Sequence, residues 1–148
     1  HEALCKHLAH LAHCAVMSLD YRLAPEQTFP TAHNDALDAL QWLSVNATSL
    51  GLDASRIAIG GDSAGGTLTA STAIAARDAG IALKLQLMFY PGCSPEYLPS
   101  ADTFEKGFLL EKASIEYFYG HYIPNLEDRQ FHAFHPCWPM AQASRLHG

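Results

Sequence analysis

One short stretch constrains this chain more than any other. Arg56 to Gly60 reads RIAIG, passes through Gly61-Asp62-Ser63-Ala64-Gly65-Gly66, and enters an Ala- and Thr-rich stretch that reaches Asp78. The first run suits a strand covered on both faces, and the last suits a helix with Gly80 as its C-terminal cap. Few residues remain for the reversal between them. The chain must therefore turn sharply at Ser63 through strained backbone geometry, and Gly61 and Gly65 are expected to lack side chains so that strand and helix can approach. Ser63 is then held out at the carboxyl edge of the sheet. The N–H of Ala64 opens the helix, where partial positive charge accumulates.

The same alternation continues on either side. Leu4, Leu8 and Leu11 recur at helical spacing between Glu2 and Ala12, and Ala15 to Leu19 (AVMSL) reads as another buried strand. Pro25 and Pro30 hold a loop, after which Thr31 can cap a helix carrying Leu37, Leu40 and Leu43 on one stripe. Leu83 to Tyr90 is a third strand, stopped by Pro91 and Gly92. Strand, helix, strand, helix, strand with short connections implies an α/β fold, a central parallel sheet with helices on both faces. Beyond it, Cys93 to Pro99 reads as loop and Leu109 to Tyr122 as a weaker helix, while Asp128 to Gly148 has no clear period.

Composition sets the outer limits. The 148 residues are 49% hydrophobic and 16% charged, enough to build one core and too apolar for a disordered chain. A net charge of −6 with no basic run argues against nucleic acid and anionic membrane partners. No apolar run is long enough to span a bilayer. Cys5, Cys14, Cys93 and Cys137 are widely spaced, as isolated thiols are, which makes a reducing compartment such as the cytoplasm the default. The opening segment does not read as a signal peptide, and the start at His1 leaves the true N-terminus open. Oligomeric state is not encoded in anything legible here.

The Gly61 to Gly65 stretch is the G-x-S-x-G pattern of a nucleophile elbow, in the strand-to-helix setting that pattern requires. Asp20 to Glu26 reads DYRLAPE, Phe29-Pro30 follows, Asp53 to Gly66 reads DASRIAIGGDSAGG, and Gln86 to Gly92 reads QLMFYPG. Together these closely resemble the hormone-sensitive-lipase-like branch of the α/β-hydrolases, from His1 to about His135. The resemblance implies a serine esterase for small hydrophobic acyl esters, working without metal or organic cofactor. By the same resemblance Ser63 is the nucleophile, Ala64 supplies an oxyanion donor, and Gly61, Asp62, Gly65 and Gly66 form the elbow. The reaction implied is two-step acyl transfer, with a histidine base oriented by a carboxylate.

The chain also departs from that pattern. The family's His-Gly-Gly-Gly oxyanion loop precedes the first helix, yet no glycine occurs before Gly51. Its acid and histidine follow the serine in that order, beyond further strands not found here. His147 has no intervening β-α-β units to carry an acid partner, and Asp102 and Asp128 read as solvated carboxylates. Residues 1–148 thus read as a single partial α/β-hydrolase domain with an atypical tail at 136–148. In that tail Pro136-Cys137-Trp138-Pro139-Met140 replaces the family's Pro-Leu-Leu-Ala-Asp, as a shifted reading frame would produce. Two rival readings stand beside the esterase. One is a non-catalytic ligand-binding protein on the same fold; the other is a fragment whose exposed sheet edge leaves it prone to aggregate.

Other residues read more plainly. His7, His10 and His13, with Cys5 and Cys14 nearby, drift round a helix surface, so they form a polar face and no metal site is expected. Asp62 reads as structural, stabilised by the helix N-terminus. Tyr21, Arg22 and Glu26 are expected to fix the loop after the first strand, with Arg22 in a buried pair with a carboxylate. Trp42, Phe89, Tyr90, Phe104, Phe108 and Tyr117 are core or pocket candidates.

Overall fold

The structure, a computed structural model, describes residues 1–92, 102–107 and 109–125. Its elements are α1 (Glu2–Ala12), α2 (Thr31–Asn46), β1 (Ala58–Asp62), α3 (Ala64–Asp78), β2 (Leu85–Phe89) and α4 (Lys112–Tyr122), with short 3₁₀ turns at Thr48–Leu50 and Ala54–Arg56. β1 and β2 pair in parallel, from Ala58 opposite Leu85 to Asp62 opposite Phe89, and α3 makes the crossover. The α/β architecture read from the strand and helix periods is therefore present.

α3 packs against both strands, and α2 packs against α3. The sequence of α3 explains how one helix can do this. Its buried positions are Gly66, Thr67, Leu68, Thr69, Ala70, Thr72 and Ala76, nearly all small, so backbones approach closely. Thr69 avoids a buried unpaired hydroxyl by donating to the Gly65 carbonyl at 2.8 Å. Leu40 from the α2 stripe, Ile57 at the entry to β1 and Ala76 of α3 form the core, flanked by Leu43, Ile59, Ile81 and Leu83.

α3 ends as expected at Gly80, whose φ of 72° lies in the left-handed region. Its N–H donates to the Arg77 carbonyl at 3.1 Å while that of Ile81 donates to the Ala76 carbonyl at 2.8 Å, the paired bonds of a Schellman motif. Ala76 belongs to the core and Ile81 packs against it, so the cap and the packing support each other.

Several expectations are corrected. Ala15 to Leu19 is not a buried strand: it has no sheet pairing among the described residues, and all five residues are exposed. An apolar run supplies the side chains of a strand, but a strand exists only where a neighbouring backbone takes its hydrogen bonds. The α1 stripe is likewise uncovered, with Leu4 at 44% and Leu11 at 75% exposure. Thr31 does not cap α2; it is the first helical residue, preceded by Pro30, which has no side-chain donor or acceptor. Trp42, Phe89, Tyr90, Phe104 and Tyr117 are exposed, so none belongs to the core. Phe108, Cys93, Asp128, Cys137 and His147, with the whole 136–148 tail, lie outside the described residues. No helix among the described residues is long and apolar enough to cross a membrane.

Candidate active site

The turn between β1 and α3 is built by exclusion of side chains. A Cβ on Gly61 would run into the carbonyl group of Gly65 and lie 2.9 Å from its Cα. A Cβ on Gly66 would lie 3.0 Å from the Pro91 Cβ and 3.3 Å from the Gly61 carbonyl oxygen. A Cβ on Gly65 would meet nothing within 4 Å. The close approach expected of the elbow glycines thus falls on Gly61 and Gly66, and Gly65 contributes its backbone, not an absent side chain.

Between these contacts Ser63 is forced to φ 50° and ψ −118° at the N-cap of α3. A serine at an ordinary N-cap sits in the β region and turns its hydroxyl back to accept from an N–H of the first turn. Ser63 cannot, and its side chain makes no capping bond. Its backbone is fully engaged instead. The Ser63 N–H donates to the Phe89 carbonyl at 2.9 Å, and its carbonyl accepts from the Thr67 N–H at 3.1 Å. The residue is exposed, as is Ala64. Neighbouring elements thus hold Ser63 in a strained conformation and leave its hydroxyl without a capping bond.

The N–H groups of Ala64 and its successors stand in the first turn of α3, where a helix has no internal acceptors for them. They can donate to negative charge developing beside Ser63, aided by the helix dipole. Thr67 fixes the wall next to them, donating its hydroxyl to the Gly92 carbonyl at 2.8 Å. That bond ties the first turn of α3 to the loop leaving β2.

Asp62 is partnered by His1, whose Nε2 lies 2.9 Å from one carboxylate oxygen and 3.1 Å from the other. The pair anchors the start of α1 beside the elbow, and no sequence signal could have paired positions so far apart. Tyr21 stands close enough that burial, and then the Asp62 charge, raise its phenol above the usual value. In the loop after Ala15 to Leu19, Arg22 does pair with a carboxylate, that of Asp35 on α2. Its Nε and guanidinium NH₂ bond Asp35 Oδ1 at 3.1 and 2.6 Å, and its backbone N–H bonds Oδ2 at 2.9 Å. These bonds hold the Asp35 carboxyl below its ordinary value and raise the guanidinium. The Arg22 side chain is 59% exposed, so the pair is half-wet, not buried as expected.

Three of the described histidines have side-chain partners other than Ser63. His1 bonds Asp62, His33 bonds Ser71 at 2.6 Å, and the His121 ring lies edge-on to Tyr117. Asp102 pairs with Lys112 at 3.2 Å and is 73% exposed. Among the described residues no group of three metal-ligand side chains converges.

A family model described as alpha/beta hydrolase fold matches residues 1–147. The chain belongs to the α/β-hydrolase fold family. Among curated relatives, the chain is 42% identical over 139 residues to an ethyl acetate hydrolase of Pseudomonas putida, covering 92% of this chain and 44% of that protein. It is 36% identical to an arylesterase of Saccharolobus solfataricus, covering 91% of this chain and 45% of the relative. Among solved structures, it superposes on an esterase of Pyrobaculum calidifontis with a TM-score of 0.87 at 38% identity, over 92% of this chain and 46% of that one. A thermostable carboxylesterase from a metagenomic library gives a TM-score of 0.88 at 36% identity, over 92% and 48%. The chain thus spans less than half the length of the relatives it matches.

Proposed function

We propose that the protein to which this chain belongs is a carboxylesterase-type serine hydrolase, and that residues 1–148 form part of a single α/β-hydrolase domain. Ser63 Oγ bonds to the carbonyl carbon of a small carboxylic ester, and the π pair moves onto the carbonyl oxygen. That oxyanion is held by the Ala64 N–H at the start of α3. Collapse breaks the bond to the alcohol, which leaves with a proton passed from Ser63 through a histidine base. Water then attacks the acyl-enzyme in the reverse sense, releasing the acid and restoring the hydroxyl.

The single observation that carries this reading is the conformation of Ser63. A serine at a helix N-terminus that makes no capping bond, at a φ of 50°, has no structural reason to be serine. The ester-cleaving relatives support the same conclusion. The test is hydrolysis of p-nitrophenyl acetate and butyrate by the full-length protein. Ser63→Ala is expected to lower kcat by about 10⁴-fold or more. Equal turnover in both proteins rejects the proposal, and saturable ester binding without turnover in either would favour a ligand-binding protein on this fold.

A further inference from the structure

Ser63 has a strained neighbour. Tyr90, at the end of β2, adopts a φ of 39°. The β1–β2 register ends with Asp62 opposite Phe89, so Ser63 and Tyr90 are the residues that immediately follow the last pair, each just beyond the end of its strand. The bond from the Ser63 N–H to the Phe89 carbonyl keeps the two chains together at that point.

Among the described residues, no packing accounts for tyrosine at this position. The left-handed region favours glycine or asparagine and penalises a bulky aromatic, and a residue before proline is pressed toward extended geometry. Tyr90 precedes Pro91 and still does not extend. Burial does not compensate, because Tyr90 is 77% exposed and, among the described residues, its ring has only a tilted approach to Phe89 at 6.5 Å. The conformation is imposed from both sides: Ser63 holds the Phe89 carbonyl, Pro91 seats over Gly66, and Thr67 holds the Gly92 carbonyl. In a parallel sheet, ligands occupy the crevice beyond the carboxyl ends of the strands, and Tyr90 is the first residue past the carboxyl end of β2.

We propose that Tyr90 is a specificity-determining residue of the ester site. Its ring forms an apolar wall on the β2 side of Ser63 and favours esters whose longer acyl chain lies against it. The proposal rests on the esterase reading above, and the experiment separates the two. In the full-length protein, kcat/KM for p-nitrophenyl acetate and hexanoate is measured for the native sequence, Tyr90→Phe, Tyr90→Gly and Tyr90→Asn. The hexanoate-to-acetate ratio is expected to fall roughly tenfold in the glycine and asparagine variants, the scale of discrimination an apolar pocket wall supplies, and to be kept in Tyr90→Phe. Tm should rise in Tyr90→Gly as strain is released. An unchanged ratio in the glycine and asparagine variants, with or without a rise in Tm, would overturn the proposal. Absence of Ser63-dependent turnover in the native protein would overturn the esterase reading and this inference with it. Asparagine tolerates the left-handed region and keeps the test valid if the glycine variant does not fold.

Discussion

The space that a side chain on Gly61 would need is filled by the carbonyl group of Gly65, whose own missing side chain faces open space. The two glycines of the elbow therefore have opposite tolerance. Gly61→Ala drives a methyl group into backbone that cannot rotate away, and is expected to cost at least about 1–3 kcal/mol, as overpacking does. Gly65→Ala meets nothing and lies within α3, where alanine is favoured over glycine by up to about 1 kcal/mol. Urea denaturation of both variants should move the midpoint in opposite directions. A shared direction would contradict the geometry of the turn.

Asp62 adjoins Ser63 in sequence but is spent on His1, with 27% of its side chain exposed. Exposed ion pairs contribute at most about 1 kcal/mol, so Asp62→Asn is expected to slow phosphonate labelling of Ser63 by no more than about fivefold. A triad carboxylate would behave otherwise, since its amide variant costs about 10⁴ in rate. A loss of that size in Asp62→Asn would make Asp62 part of the catalytic machinery. A small loss places the acid elsewhere in the full-length protein.

Buried between α2, α3 and α4, His33 titrates far from its usual range. Ser71 uses its proton on the Leu68 carbonyl, so His33 Nδ1–H must donate to the Ser71 oxygen, and Nε2 is left without a partner among the described residues. Phe29 and Tyr122 enclose the ring, and burial lowers its pKa from 6.5 to about 4. The native state therefore keeps a neutral imidazole where the unfolded chain binds a proton. Nothing is lost above pH 6.5. Stability falls as pH drops from 6.5 toward 4, by about 3 kcal/mol in full. His33→Leu removes the titrating group while Ser71 keeps its bond to Leu68, so the variant should lose less stability between pH 7 and 5 than the native protein. Parallel slopes in urea titrations at the two pH values would refute this.

Legibility in the sequence follows the range of the interaction. The RIAIG and QLMFY runs, the Leu40 and Leu43 stripe and the Gly80 cap are local signals, and each appears in the structure within two or three residues of its expected place. The turn at Ser63 was legible because a strand and a helix with almost nothing between them leave few conformations. Pairing was not legible. The Ala15 to Leu19 run has a strand's composition without a strand's partner among the described residues, and the His1–Asp62 bond joins residues whose proximity only the tertiary fold creates. Tyr90 is the sharpest case: its place before proline argues for extension, and tertiary bonds at Phe89 and Gly92 override it.

The same unpaired backbone bears on how the 148 residues behave by themselves. Among the described residues, Val16, Met17 and Leu19 are 38 to 49% exposed on a segment without sheet partners, and Leu85, Met88 and Phe89 are 38 to 55% exposed on β2, which has one partner strand. Exposed apolar edges with open hydrogen-bonding groups pair with other chains. The isolated 148-residue chain is expected to self-associate as its concentration rises, seen as a shift to larger species in sedimentation velocity. Val16→Lys with Leu85→Lys should reduce that shift, because charge on an edge opposes pairing. A monomeric, cooperatively unfolding native chain across the same concentrations would show that these edges are protected.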